Sequence, residues 1–164
     1  MAKVELQHPA LHHLLVTPDI AQDLLEGLED ADAYRKPEPA EASLAEFLEY
    51  LSHVEEHQFR QWVDAIMTGS HPKLAFYDRD GLLASGTYSG RDAEESMAHW
   101  IERRDDNMDY LESLQPGDLA KSAIHPTGES ITLDGVLREW AAHDLAAIQR
   151  LAGFASDYLY APPE

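Results

Sequence analysis

The amino-acid sequence predicts an all-α domain, a four-helix bundle with a long loop between its second and third helices. Three observations carry that expectation. Four segments place apolar residues at a helical period, Pro and Gly punctuate the intervals, and no segment keeps the strict alternation of a half-buried strand. At 164 residues the chain suits a single domain, residues 1–164, with one continuous core.

The first helix is expected roughly from Pro9 to Leu28, with Leu11, Leu14, Leu15, Leu24, Leu25 and Leu28 facing inward and a kink or restart at Thr17-Pro18. An acidic stretch, Glu29 to Asp32, follows it. Ser43 and Glu46 stand at capping-box spacing and start a second helix that reaches about Met67. Its stripe is Leu44, Phe47, Leu48, Leu51, Val54, Trp62 and Ile66. The loop from Gly69 to about Gly90 carries Phe76, Tyr77 and Tyr88, aromatic residues that predict a cover packed over the bundle. A third helix reads from about Arg91 to Leu114, with Met97, Trp100, Ile101, Met108, Leu111 and Leu114 inward, and stops at Gln115-Pro116-Gly117. Thr132 is the N-cap of a fourth helix, whose stripe of Leu133, Val136, Leu137, Trp140, Ala147, Ile148 and Leu151 leads to Gly153.

Composition narrows the classes of function. With 31 Asp+Glu against 12 Lys+Arg, the formal net charge of -19 repels phosphate backbones and anionic membrane surfaces, so nucleic acid and membrane are not expected partners. No run approaches the roughly 18 apolar residues of a membrane span, and the N-terminal residues do not read as a secretory signal; a cytoplasmic location is the expectation. The absence of cysteine excludes disulfides, thiolate ligands and a cysteine nucleophile.

Two stretches bear a family likeness. His125-Pro126-Thr127-Gly128 through Ile131-Thr132-Leu133 into Trp140-Ala141-Ala142-His143-Asp144-Leu145 resembles the last loop and helix of the DinB/YfiT superfamily, which is unrelated to the DNA polymerase sharing the first name. Ser43-Leu44-Ala45-Glu46, leading to Leu51-Ser52-His53-Val54-Glu55, is similar to that family's second helix, and Arg103 or Arg104 before Leu111-Glu112-Ser113-Leu114 to its third. The resemblance implies a divalent metal, commonly zinc or nickel, held by one histidine of the second helix and a His-x-x-x-His pair of the fourth. Residues four apart share a helix face, so such a pair converges on one ion while a facing helix adds the third ligand and leaves a position open.

This sequence departs from that pattern. His143 matches the first member of the pair, but the second falls on Ala147 and the second-helix ligand on Tyr50. His53 and His57 form an i, i+4 pair of their own; at about 100° per residue Tyr50 and His57 share an azimuth and His53 lies within about 60° of it, so all three are expected on one flank. The candidate metal ligands are therefore His53, His57 and His143, with Tyr50, Glu55 and Ala147 lining the pocket. Solvated histidines on the second helix, and a hydrogen bond from Tyr50 or Glu55 satisfying His143 without metal, are the competing readings. His8 and His12 cluster near a fraying end, and His99 and His125 belong to a surface and a loop. His53-Val54-Glu55-Glu56-His57 fits an inverted zinc-protease pattern too short to carry weight, and neither a nucleophile elbow nor a phosphate-binding glycine loop is present.

Three classes of function follow. One is a metal-dependent S-transferase, as the resemblance implies, in which the ion activates a low-molecular-weight thiol cosubstrate; the second is a metal-dependent hydrolase that activates water. The third is a metal-free bundle that binds a small molecule or a protein partner. The resemblance and the terminal aromatics Phe154, Tyr158 and Tyr160 also point to a homodimer.

Overall fold

A computed structural model describes residues 6–78, 92–160 and 162. Four helical rods form the bundle. The first is α1, Pro9–Leu25, and a short α2, Asp30–Tyr34, follows in the acidic stretch. The second rod joins α3, Leu44–Val54, to α4, Arg60–Thr68, through one π turn at Glu55–Phe59. The third rod is α5, Ala93–Glu112, and the fourth is α6, Leu133–Leu159. Between the last two lie a 3-10 turn, Pro116–Ala120, and two three-residue antiparallel strands, β1 Ser122–Ile124 and β2 Ser130–Thr132, paired Ser122 to Thr132 and Ile124 to Ser130.

Each rod begins at a side-chain cap, which satisfies backbone donors that a helix start leaves open. Ser43 Oγ accepts from Glu46 N–H at 3.2 Å, Asp92 from Glu94 N–H at 2.8 Å and Thr132 Oγ1 from Gly135 N–H at 3.2 Å. The cap of α1 is His8, whose Nδ1 accepts from Ala10 N–H at 3.1 Å. That imidazole is buried and its Nε2 donates to Asp134 at 2.7 Å, so the N-terminal turn is tied to α6 and does not fray as the sequence suggested.

Several boundaries and faces differ from expectation. Helix α1 stops at Leu25 because Gly27 takes φ +90°, a left-handed conformation that ends the ladder. Leu15 is 52 % exposed, whereas Leu11 and Leu14 are buried. Helix α6 does not stop at Gly153: the next residue, Phe154, is buried in the core and keeps the helix docked to Leu159. Phe154 and Tyr158, two of the aromatics that suggested a dimer, are used within the fold; Tyr158 stacks on the Arg35 guanidinium at 4.1 Å and donates to Arg35 O at 3.1 Å.

The core has two parts. One gathers Leu11, Leu14, Phe59, Val63, Leu137 and Trp140; the other gathers Leu44, Leu48, Leu51, Trp100, Leu151 and Phe154, and Tyr50 packs against both. The described part of the loop after α4 is anchored by a parallel bridge between Lys73 and Ile124, and it carries Phe76 against Trp62 and Tyr77 against Tyr50. Tyr88 lies outside the described residues. No helix among the described residues is long and apolar enough to cross a membrane.

Candidate functional site

The second rod and α6 meet at Tyr50 and His143. Tyr50 Oη lies 3.4 Å from His143 Nε2, and Phe59 packs edge-on against the imidazole at 5.3 Å between ring centroids. Burial holds the His143 pKa well below the ordinary 6.5, at about 4; the negative Glu55 pulls it up and the positive Arg104 pulls it down, and neither outweighs the loss of water. At neutral pH this ring is uncharged, with one donor and one acceptor nitrogen.

Tyr77 arrives from the loop and faces the other two histidines. Its Oη is 3.1 Å from His53 Nδ1, its ring stacks on His57 at 6.0 Å with 18° between planes, and its N–H donates to Gln58 Oε1 at 3.0 Å. His53 Nε2 stands 3.4 Å from Glu49 Oε1, and the exposed His57 Nε2 stands 3.9 Å from Glu56 Oε2. Tyr77 was expected in the cover, but nothing in its spacing placed it between two imidazoles.

The structure gathers Tyr50, His53, His57, Tyr77 and His143 into one imidazole–phenol face, but it does not bring His53, His57 and His143 together as a ligand set. Among the described residues no group of three or more His, Cys, Asp or Glu is placed to hold a metal ion. The physical reason is the π turn. It advances by about 80° per residue instead of about 100°, so three residues beyond Val54 it has turned His57 back by roughly 50–60°. His57 thereby aligns with His53, the ring centroids 5.6 Å apart, and swings away from the Tyr50 flank that faces His143. Ala147 is buried in the core beside Leu51 and offers no donor. The residues present do not fit the three-histidine site.

Glu55 does not line this face either. It is buried against Arg104 of α5, whose Nε donates to Glu55 Oε1 at 2.7 Å and whose Nη2 donates to Oε2 at 2.9 Å. Asp144 accepts from Nη1 and Nη2 of the same guanidinium at 2.7 and 2.9 Å, and Leu14 O of α1 accepts from Nη1. Asn107 Nδ2 donates to Glu55 Oε1 at 3.0 Å and its Oδ1 accepts from Arg60 Nη1 at 2.9 Å. Burial works against the Arg104 charge, but Glu55 and Asp144 outweigh it and hold the group above the ordinary arginine range; burial raises Asp144 despite the attraction of Arg104. Sequence reasoning missed this cluster. Its signal was present: Arg104 continues the stripe of Met97 and Trp100, Asp144 that of Leu137 and Trp140, and Glu55 that of Leu48 and Leu51.

His125 is also held by specific bonds. Its Nδ1 accepts from Thr127 N–H at 3.2 Å, which leaves the proton on Nε2, and Nε2 donates to Glu139 at 3.0 Å. This pins the turn between β1 and β2 to α6, away from the imidazole–phenol face.

Comparison with known proteins agrees with the fold. The sequence model of the DinB superfamily matches residues 13–145. Among solved structures, YfiT from Bacillus subtilis, described as a probable metal-dependent hydrolase with an unusual four-helix bundle topology, superposes with a TM-score of 0.79 at 17% identity. The match covers 89% of this chain and 83% of that one. No curated protein sequence matches the chain.

Proposed function

The chain belongs to the DinB superfamily, and from that premise we propose that it is a metal-free small-molecule-binding bundle whose binding surface is the face of Tyr50, His53, His57, Tyr77 and His143. One observation carries the reading. At the two positions where the resemblance implies metal ligands beside His143, the chain has a phenol 3.4 Å from the imidazole and a buried alanine. A neutral His143 offers a hydrogen bond in a largely apolar setting, while the stacked Tyr77 and His57 rings offer flat apolar surface. A ligand suited to that face is planar, with one polar edge.

Elemental analysis of protein purified without a histidine tag tests this. The expected result is less than 0.1 equivalent of zinc or nickel, roughly the level of carry-over. Replacing Tyr50→His together with Ala147→His is expected to create zinc binding measurable by calorimetry. Stoichiometric metal in the parent protein would overturn the proposal.

The second reading is the metal-dependent enzyme, and the closeness of the His53 and His57 rings is what favours it. The printed description of YfiT points to hydrolysis; a thiol S-transferase is the finer alternative. Under this reading zinc or nickel co-purifies and His143→Ala removes it. A homodimer belongs with either reading and has Tyr160, 78 % exposed, as its remaining free terminal aromatic.

A further inference from the structure

Away from the imidazole–phenol face, two cavities of about 480 and 540 Å³ lie along α1 and α5. They share Gln22, Glu94 and Met97, so they form one groove. Its floor is apolar. Leu28, Leu44, Leu48 and Met97 line one end and Ile101 and Ala98 the other. Its banks are acidic. Asp23, Glu26 and Asp30 edge the first cavity, Glu102, Asp105 and Asp106 edge the second, and among the described residues no Lys, Arg or His lines either. Among the described residues none of these six carboxylates is held in an ion pair.

We propose that this groove docks a basic amphipathic helix of a partner protein, its apolar face on the half-buried Leu25, Leu28 and Ile101 and its Lys or Arg side chains on the carboxylates that edge the two cavities. Charge complementarity selects this occupant. An apolar floor takes the i, i+3, i+4, i+7 anchors of a helix, and banks whose described charged residues are all carboxylates take flanking cations while repelling an acidic helix. From Glu94 to Asp106 the α5 bank runs for about 18 Å at ~1.5 Å per residue, which spans about three turns of a docked helix. A second copy of this chain is a poor occupant, because its 12 Lys+Arg are outnumbered by 31 Asp+Glu. The inference does not depend on the proposed function, since the groove and the imidazole–phenol face have no residue in common.

The test uses the full chain and a fluorescent 14-residue helical peptide of Lys and Leu in amphipathic order, read by anisotropy at about 0.15 M salt. Two comparison peptides separate groove binding from general attraction to an acidic protein: one with the same Lys count and Ser in place of Leu, and one with Glu in place of Lys. The expected result is saturable binding of the Lys/Leu peptide, with both comparison peptides at least tenfold weaker. Ala98→Trp, which fills the groove at an exposed position, and Glu102→Lys are expected to weaken binding at least tenfold. Glu129→Lys, the same charge change on the strand turn, is expected to leave it within twofold. Circular dichroism confirms that each variant is folded, and chemical-shift changes in the complex are expected at Met97 and Ile101. Equal binding by the Lys/Ser peptide, equal loss in Glu129→Lys, or shifts centred on Tyr50 and His143 would overturn the proposal. Failure here leaves the metal assay untouched, so the two readings fail separately.

Discussion

Arg104 carries a full charge at 1 % exposure, and the two carboxylates beside it are 2 % exposed. A charge taken that far from water persists only when it is paired and its donors are filled, and here all five guanidinium bonds found go to Glu55, Asp144 and Leu14. Removing the cation strands both anions. Arg104→Met is therefore expected to cost about 3–5 kcal/mol in urea unfolding, and adding Glu55→Gln with Asp144→Asn should recover part of it. A loss below about 1 kcal/mol would show that water reaches the cluster. His143 gives a pH signature. Its folded pKa of about 4 lies below the ordinary 6.5, so between these values the unfolded chain binds more protons than the folded one. The stabilisation is fully present above 6.5 and is lost as pH falls toward 4, at most about 3 kcal/mol. Unfolding midpoints at pH 7 and pH 4.5 should fall further apart for the parent than for His143→Asn; equal falls would remove the half-buried neutral imidazole. A charge on three separate apolar stripes was readable as a demand for mutual pairing. Tyr77 was not readable in that way, because its place is set by the bridge from Lys73 to Ile124, which no helical period encodes.

Helix starts were legible because caps are local chemistry: Ser43 and Thr132 cap where their sequence places them. Ends were less legible, since Gly153 breaks a helix only when nothing beyond it is buried, and Phe154 is. The π turn was invisible to a count made at one fixed period, yet it decides the candidate site by turning His57 away from His143. A π turn amounts to one residue inserted in an α-helix. Deleting Glu56 should restore α geometry and leave Phe59, Val63 and Ile66 within about 20° of their present faces. Thermal melts followed by circular dichroism should show the fold kept, with a loss under about 2 kcal/mol. Inserting one alanine after Phe59 should instead rotate Trp62, Val63 and Ile66 by about 100° and abolish the cooperative transition. If both variants melt like the parent, the stripe of α4 does not hold the rod in place.

At the scale of the molecule, four rods and their inward faces follow from periodicity, because burial of one stripe per helix has few solutions at this length. The way the rods are joined does not follow from any one of them. Glu55 belongs to the second rod, Arg104 to the third, Asp144 to the fourth, and the Leu14 carbonyl to the first. This has a kinetic consequence. A partly folded chain that has docked α3 on α5 holds a half-compensated guanidinium, and one that has docked α1 on α6 without α5 has a desolvated Asp144 facing no cation. Neither assembly is a comfortable resting place, so the last rod to arrive should find the others poised and not settled. Native-state hydrogen exchange should then show the centres of all four rods opening together as one foldon, with α2 and the ends of α6 exchanging earlier. A rod that opened alone, several kcal/mol before the rest, would mean that the charge cluster tolerates a missing member. On this account, the polar knot at the centre makes the bundle fold as a unit.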